Sequence, residues 1–153
     1  MKTLILLAAS AALFFSSSPV ATPYFKTADV SAPLIKRQIV KHTGTGEYEV
    51  TVTISKGSLN SFASYKETIP GNGNIKVEGI DLAGSDFKFD ESKRTVKFLW
   101  VALASSDNMT VSYKLSGISN LKKDFPGEFK YVEDNAATSS SLKAENVSYS
   151  EVK

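Results

Sequence analysis

Residues 93–115, KRTVKFLWVALASSDNMTVSYKL, decide the fold of this chain. Apolar and polar residues alternate in two runs on either side of Ser105-Ser106-Asp107-Asn108, a segment rich in turn-forming residues. A period of two residues indicates a β-strand that buries one face. We therefore predict two strands that pair through this turn, with the only Trp of the chain in the core. The inward-facing residues are Val96, Phe98, Trp100, Met109, Val111, Tyr113 and Leu115.

The same alternation extends outward from this pair. Glu47–Ser55 (EYEVTVTIS) shows it most clearly, and we expect Tyr48, Val50, Val52 and Ile54 to pack against the central pair. The whole chain predicts seven to eight short strands with turns between them, an all-β antiparallel sandwich of the immunoglobulin (Ig)-like type. Lysines punctuate the predicted strands, and we interpret them as protection of exposed strand edges. They are Lys36, Lys66, Lys88 and Lys97.

The N-terminus has the layout of a secretory signal peptide. Lys2 precedes an apolar run at 4–15 that is short for a membrane span, and Ser16-Ser17-Ser18-Pro19 ends the run. We predict a signal peptide at 1–21 with cleavage near Ala21, a flexible leader at 22–33, the sandwich at 34–132 and a polar, disordered tail at 133–153. The mature protein is then exported, to the periplasm, the cell surface or the medium, and does not span a membrane.

Composition excludes several kinds of chemistry. The chain has no cysteine, which removes disulfides, thiolate catalysis and Cys-ligated metal sites. The net charge is +2, with acidic and basic residues interspersed, so the sequence shows no basic stripe of the nucleic-acid-binding kind. Hydrophobic residues make up 42% of the chain, which is enough for a packed core.

Four segments together resemble a known pattern. They are Tyr48-Glu49-Val50-Thr51-Val52-Thr53-Ile54, Ile69-Pro70-Gly71, Phe98-Leu99-Trp100 and Thr110-Val111-Ser112-Tyr113-Lys114-Leu115, with Gly127-Glu128-Phe129-Lys130-Tyr131 as a closing strand. The pattern is similar to the Ig-like β-sandwich repeats of bacterial exported and cell-surface proteins. The resemblance implies a structural or binding module with another exported or envelope protein as its partner. It implies no catalytic residue and no cofactor.

The sequence offers little for catalysis. His42 is the only histidine and is expected at the surface, because without a second His or a Cys it forms neither a usual zinc site nor a catalytic dyad. Asp86, Asp90 and Glu91 flank two strand ends, where a calcium site is an alternative to solvated turn carboxylates. We predict no enzyme, no metal site and no cofactor, and a hydrolase is the least favoured reading.

A carbohydrate-binding or adhesion module is the main rival function. Sugar-binding sandwiches use exposed aromatic side chains, with a polysaccharide as the partner. Tyr48, Trp100 and Tyr113 share faces with Val and Phe and are predicted in the core. Phe62 and Tyr65, beside a Gly and Asn turn, are the predicted exposed aromatics and the candidate binding surface.

Overall fold

The computed structural model describes residues 33–133 and 139–153. Within these residues all regular structure is β, in ten strands. No helix of the described chain is long and apolar enough to cross a membrane. The strands are β1 (Leu34–His42), β2 (Glu47–Ser55), β3 (Ala63–Thr68), β4 (Lys76–Asp81), β5 (Asp86–Asp90), β6 (Thr95–Trp100), β7 (Asn108–Ser116), β8 (Gly127–Val132), β9 (Ser139–Lys143) and β10 (Glu145–Val152).

The strands form two five-stranded sheets, so the predicted all-β sandwich is confirmed. Sheet A has the order β10-β1-β2-β7-β4, and sheet B has the order β5-β6-β3-β8-β9. Neighbouring strands are antiparallel except β1 and β10, which run parallel. The predicted count of seven to eight strands was too low.

The predicted pairing of the central strands was wrong. β6 lies in sheet B between β5 and β3, whereas β7 lies in sheet A between β2 and β4. The segment at 101–107 therefore crosses between the sheets instead of closing a hairpin. β7 pairs with β2 from Tyr48 opposite Leu115 to Ser55 opposite Asn108, so these strands are neighbours in one sheet and do not face each other across the core.

The inward-facing residues were predicted correctly, because alternation reports burial whichever sheet a strand joins. Every residue predicted for the core from the central stretch and from β2 is buried, including Trp100 at 1% exposure. The Trp100 indole Nε1 donates a hydrogen bond to the Ala83 carbonyl at 3.0 Å, which satisfies its one polar group. The residues are Tyr48, Val50, Val52, Ile54, Val96, Phe98, Trp100, Met109, Val111, Tyr113 and Leu115.

The predicted disordered tail at 133–153 was wrong over most of its length. β9 pairs with β8, and β10 pairs with β1, so the C-terminal segment completes one edge of each sheet. Most of its side chains are small and polar, but its backbone pairs with β8 and β1, and Leu142, Ala144 and Tyr149 are partly buried against the core. Residues 1–32, and with them the predicted signal peptide and leader, lie outside the described chain.

Candidate protein-binding face

One row of charged residues crosses the outer face of sheet B from edge to edge. Lys88 lies opposite Lys97, Lys97 opposite Lys66, Lys66 opposite Glu128, and Glu128 opposite Lys143. Each residue alternates with buried or half-buried neighbours along its own strand, so all five belong to the solvent-facing side. We call these five residues the lysine row.

The lysine row concentrates like charge. Three lysines follow one another on neighbouring strands, and like charges directly opposite destabilise a sheet. In the part of the chain that the structure describes, Lys66, Lys88, Lys97 and Lys143 take part in no ion pair. Glu128 is paired with Lys130 on its own strand at 3.6 Å. The four cations are therefore free to meet an external anion.

Two open depressions flank Lys66. One, of about 390 Å³, is lined mainly by lysines, among them Lys66, Lys88 and Lys97, with Asp90 and Glu128 also in its wall. The other, of about 670 Å³, lies between Lys66 and Lys143 and has Phe125 and other residues of the β8 entry in its wall. Both are surface grooves along the lysine row, a shape suited to a partner's protruding side chains.

Apolar side chains cover one end of the same face. Phe62 precedes β3 and is 45% exposed, and Val101 follows β6 and is 79% exposed. Val132 lies beside Phe62, where its amide N donates to the Phe62 carbonyl at 3.1 Å. With the half-buried, outward-facing Leu99, these residues form what we call the apolar end. Exposed large apolar residues that cluster beside charge are typical of interaction sites.

A buried polar network supports this face from below. Tyr65 and Glu67 alternate with Lys66 on β3 and point into the core. Glu67 accepts a hydrogen bond from Arg37 Nε at 2.7 Å and further hydrogen bonds from the hydroxyls of Tyr65 and Tyr113. Because Arg37 and Tyr113 belong to sheet A, the network joins the two sheets directly beneath the lysine row.

Burial sets the protonation of this network. It raises the pKa of both the Tyr65 and the Tyr113 hydroxyls well above the usual range, and the charge of Glu67 adds to both shifts. Burial, the largest single influence, would lower the pKa of Arg37, but the electrostatic and hydrogen-bonding interactions with Glu67 and Tyr65 together outweigh it and raise that pKa. The tyrosines therefore stay neutral donors, and Arg37 stays a cation.

The Arg37 guanidinium fills a space that a glycine leaves open. Its centre lies 4.1 Å from the centroid of the Phe125 ring, and Nη1 and Nη2 have no hydrogen-bonding partner among the described residues. A Cβ atom at Gly127 would come within 2.6 Å of both Arg37 Nη2 and the Tyr65 hydroxyl. Gly127 is thus required on the inner side of β8, directly before Glu128 of the lysine row.

The two predicted binding residues separate in the structure. Phe62 lies exposed at the apolar end, and its role in binding stays a prediction. The prediction that Tyr65 is exposed was wrong, since this residue is fully buried and donates to Glu67. Tyr65 shares the inward side of β3 with Ala63 and Glu67.

The predicted edge-protecting role of the lysines holds only in part. Lys36, Lys66 and Lys97 lie on β1, β3 and β6, each of which has a strand on both sides. Only Lys88, on β5, lies on an edge strand. The sequence shows where these lysines lie along the chain. Their alignment across the sheet depends on strand pairings between distant segments.

The residues considered for catalysis or metal binding do not form such a site in the described part of the chain. His42 lies at the end of β1, 3.8 Å from a Glu49 carboxylate oxygen. Asp90 accepts hydrogen bonds from Ser92 Oγ at 2.7 Å and from Lys93 N at 3.1 Å, and these bonds, the Ser92 bond first, lower its pKa. Among the described residues, no three His, Asp or Glu side chains are grouped so as to hold a metal ion.

Comparison by sequence gives no relative. No protein-family model matches the chain. No curated protein matches it either.

Comparison by structure gives slight likenesses. A collagen-binding domain from a Staphylococcus aureus adhesin matches with 15% identity and a TM-score of 0.42 over 76% of this chain and 99% of that domain. A non-cellulosomal cohesin from Archaeoglobus fulgidus matches with 11% identity and a TM-score of 0.43 over 80% and 93%.

A third match is an enzyme. The GH20 exo-β-N-acetylglucosaminidase from Vibrio harveyi matches with 10% identity and a TM-score of 0.48 over 80% of this chain, which spans only 19% of that enzyme. Adhesin and cohesin domains are Ig-like sandwich modules, the type that the sequence resembles. Because every TM-score here is below 0.5, these likenesses carry no argument about the role of the chain.

Proposed function

We propose that this chain is an exported, non-catalytic β-sandwich module that binds another protein through the outer face of sheet B. The observation that carries the proposal is the lysine row, which crosses all five strands of sheet B and places lysines without an ion pair among the described residues on four of them. A sheet gains no stability from this arrangement. Acidic groups of a binding partner would offset the repulsion between the lysines.

The apolar end supports the same assignment. Protein interfaces contain both apolar contact area and polar, solvent-accessible groups. Phe62 and Val101 supply exposed apolar surface on the face that carries the lysine row, and two grooves lie along that row. The buried Arg37–Glu67 pair and the hydroxyls bonded to Glu67 hold the two sheets together below it, which favours a rigid, preformed surface.

Export is part of the proposal and rests on the N-terminal sequence. It is tested by intact-mass measurement of the protein recovered outside the cytoplasm. We expect a product that has lost a segment ending near Ala21. A full-length product retained in the cytoplasm would contradict export.

Sugar binding is not the function that the structure favours. It was predicted from two exposed aromatics, and only Phe62 is exposed. Among the described residues, the other exposed large apolar side chains are aliphatic, so Phe62 has no second exposed ring for stacking.

Site-directed photocross-linking tests the binding face. Because the chain has no cysteine, Ser64→Cys creates a single attachment point for a benzophenone maleimide. Ser64 is half-buried on the outer face of sheet B, between the lysine row and the apolar end. Thr53→Cys is the matched control, since Thr53 is half-buried on the outer face of sheet A and also lies on an inner strand.

We expect a discrete adduct from the Ser64 position in exporting cells and none from the Thr53 position. Adducts from both positions in equal amounts, or from neither, would refute the proposed face.

A further inference from the structure

We infer that the partner presents a protein surface in which carboxylates lie beside an apolar projection, the carboxylates facing the lysine row and the projection contacting the apolar end. This inference rests on the proposed function and specifies the chemistry of its partner. It is carried by three features of sheet B: the spacing of the lysines, the place of Glu128 and the position of Phe62.

The spacing of the lysines calls for several anionic groups at once. Neighbouring strands lie about 4.8 Å apart, so the side chains of Lys88, Lys97 and Lys66 leave the sheet at that interval. One carboxylate placed between two of them contacts both ammonium groups and screens their repulsion. A partner with two or more carboxylates at comparable spacing gains most from this row.

Glu128 favours a protein over a uniform polyanion. It lies in register between Lys66 and Lys143, so the row reads cation, cation, cation, anion, cation. A linear polymer with an acidic group on every unit would place one of them against Glu128, and like charges in contact disfavour that partner. A protein surface can place a neutral or basic side chain there.

The apolar end indicates that the partner also carries an apolar side chain. Phe62 comes directly before β3 and four residues before Lys66, a separation of about 13 Å at the rise of a β-strand. On β8, Val132 N donates to the Phe62 carbonyl, and Val101 directly follows Trp100, the β6 residue opposite Ala63. An aliphatic or aromatic side chain beside the partner's carboxylates reaches this patch in the same encounter.

The two parts of the face are expected to act on different rate constants. Exposed charges steer association and give it a salt dependence, whereas buried apolar contacts slow dissociation. Charge reversal in the lysine row should therefore lower the association rate constant. Loss of the Phe62 ring should raise the dissociation rate constant.

Binding of defined probes tests the inference. The probe is a synthetic peptide with a run of glutamates next to a Leu-Phe pair, measured by surface plasmon resonance on the immobilised protein. Heparin, single-stranded DNA and phosphatidylglycerol vesicles are the other polyanions. We expect the peptide to bind, with an association rate that falls about tenfold between ~20 mM and ~300 mM salt, and to bind more tightly than heparin, DNA or the vesicles.

Matched variants locate the binding. Lys66→Glu with Lys97→Glu should reduce the peptide's association rate about tenfold, whereas Lys36→Glu, an exposed lysine on sheet A, should leave it unchanged. Phe62→Ser should raise the dissociation rate, whereas Ile80→Ser, an exposed apolar residue of β4 in sheet A, should not.

Other results overturn the inference. Tighter binding of heparin, DNA or vesicles than of the peptide would assign the row to a different class of polyanion. If the peptide binds the Lys66→Glu/Lys97→Glu variant as fast as the parent protein, its binding site is not the lysine row. If a partner is cross-linked at Ser64→Cys but its capture does not change with salt or with those reversals, the proposed function stands and the acidic partner is refuted. If no adduct forms at Ser64→Cys, the proposed function itself is refuted.

Discussion

Lys66 and Lys97 lie directly opposite each other on neighbouring inner strands of sheet B, and Lys88 continues the row on the far side of Lys97. The three strands run antiparallel to their neighbours and the three lysines lie directly opposite one another, so their side chains leave the same face of the sheet. Stability does not explain this arrangement, since the described residues provide these lysines with no carboxylate in an ion pair. The proposed binding role would account for the arrangement, and the experiments below test it.

Replacing the central lysine of the row should stabilise the isolated protein. Lys97→Gln removes two like-charge contacts, and we expect the free energy of unfolding to rise by about 0.2–1 kcal/mol at low salt. Urea denaturation at two salt concentrations checks this, because added salt should shrink the difference. Lys36→Gln on sheet A is the control and should change little. A loss of stability in Lys97→Gln would show that the row is structural.

Breaking the buried ion pair should destabilise the fold strongly. Glu67→Gln leaves the Arg37 charge buried without a counter-charge, and we expect a loss of about 3–5 kcal/mol in urea denaturation. Glu128→Gln, one strand away on the exposed side, should stay within about 0.5 kcal/mol.

The double variant Arg37→Met with Glu67→Leu separates an unpaired charge from lost packing. It removes both charges and should recover most of the stability lost in Glu67→Gln. Equal losses in the single and the double variants would contradict the view that the charge of Arg37 causes the damage.

Trp100 should be a principal element of the core. Trp100→Ala removes the largest fully buried side chain and should cost about 3–5 kcal/mol of unfolding free energy, measured by thermal and urea melts. The adjacent Val101→Ala changes a 79% exposed residue and should cost about 0.5 kcal/mol or less. A melt of Trp100→Ala that matches the parent protein would contradict its place in the core.

Stability should fall in alkaline solution. Burial, with the charge of Glu67, raises the pKa of Tyr65 and Tyr113 in the folded state, so the unfolded chain loses these protons first, above pH ~10. The free energy of unfolding is then constant below that pH with respect to these groups and decreases above it.

The matched variant for the pH effect is Tyr113→Phe, which should show a shallower alkaline decline. Tyr149, whose pKa is raised to about 12 by burial and by Glu151, contributes equally to both proteins and cancels in the difference. Parallel pH profiles for the variant and the parent would show that Tyr113 ionises as readily when folded as when unfolded.

Local pattern was sufficient to predict the inward faces of β2, β6 and β7, because side-chain alternation depends only on residues two apart. It could not assign β6 and β7 to sheets, since that depends on which distant strands pair. It also misplaced Tyr65, because Glu67 and Lys66 are both charged and conceal which side of β3 is buried. The burial of Glu67 depends on Arg37, thirty positions away, and no local signal reports it.

The lysine row escaped prediction for the same reason. Its members are separated along the chain by up to 77 positions, from Lys66 to Lys143, and only the register of four strand pairs aligns them. The tail was misjudged because its serines carry no hydrophobic alternation, while the backbone of β9 and β10 still pairs with β8 and β1. Backbone pairing of this kind depends on which strand edges of the two sheets are open, which the local sequence does not report.

The most direct test of the central claim is photocross-linking from Ser64→Cys in exporting cells, compared between the otherwise unchanged protein and a version with Lys66→Glu and Lys97→Glu. Lys36→Glu in the same background controls for a change of charge on the opposite sheet. We expect a single adduct from the protein with the unchanged lysine row and from the Lys36→Glu version. The adduct should be lost when Lys66→Glu and Lys97→Glu reverse the charge of the row. An adduct that persists undiminished after reversal of Lys66 and Lys97 would contradict the claim that the lysine row is the binding site.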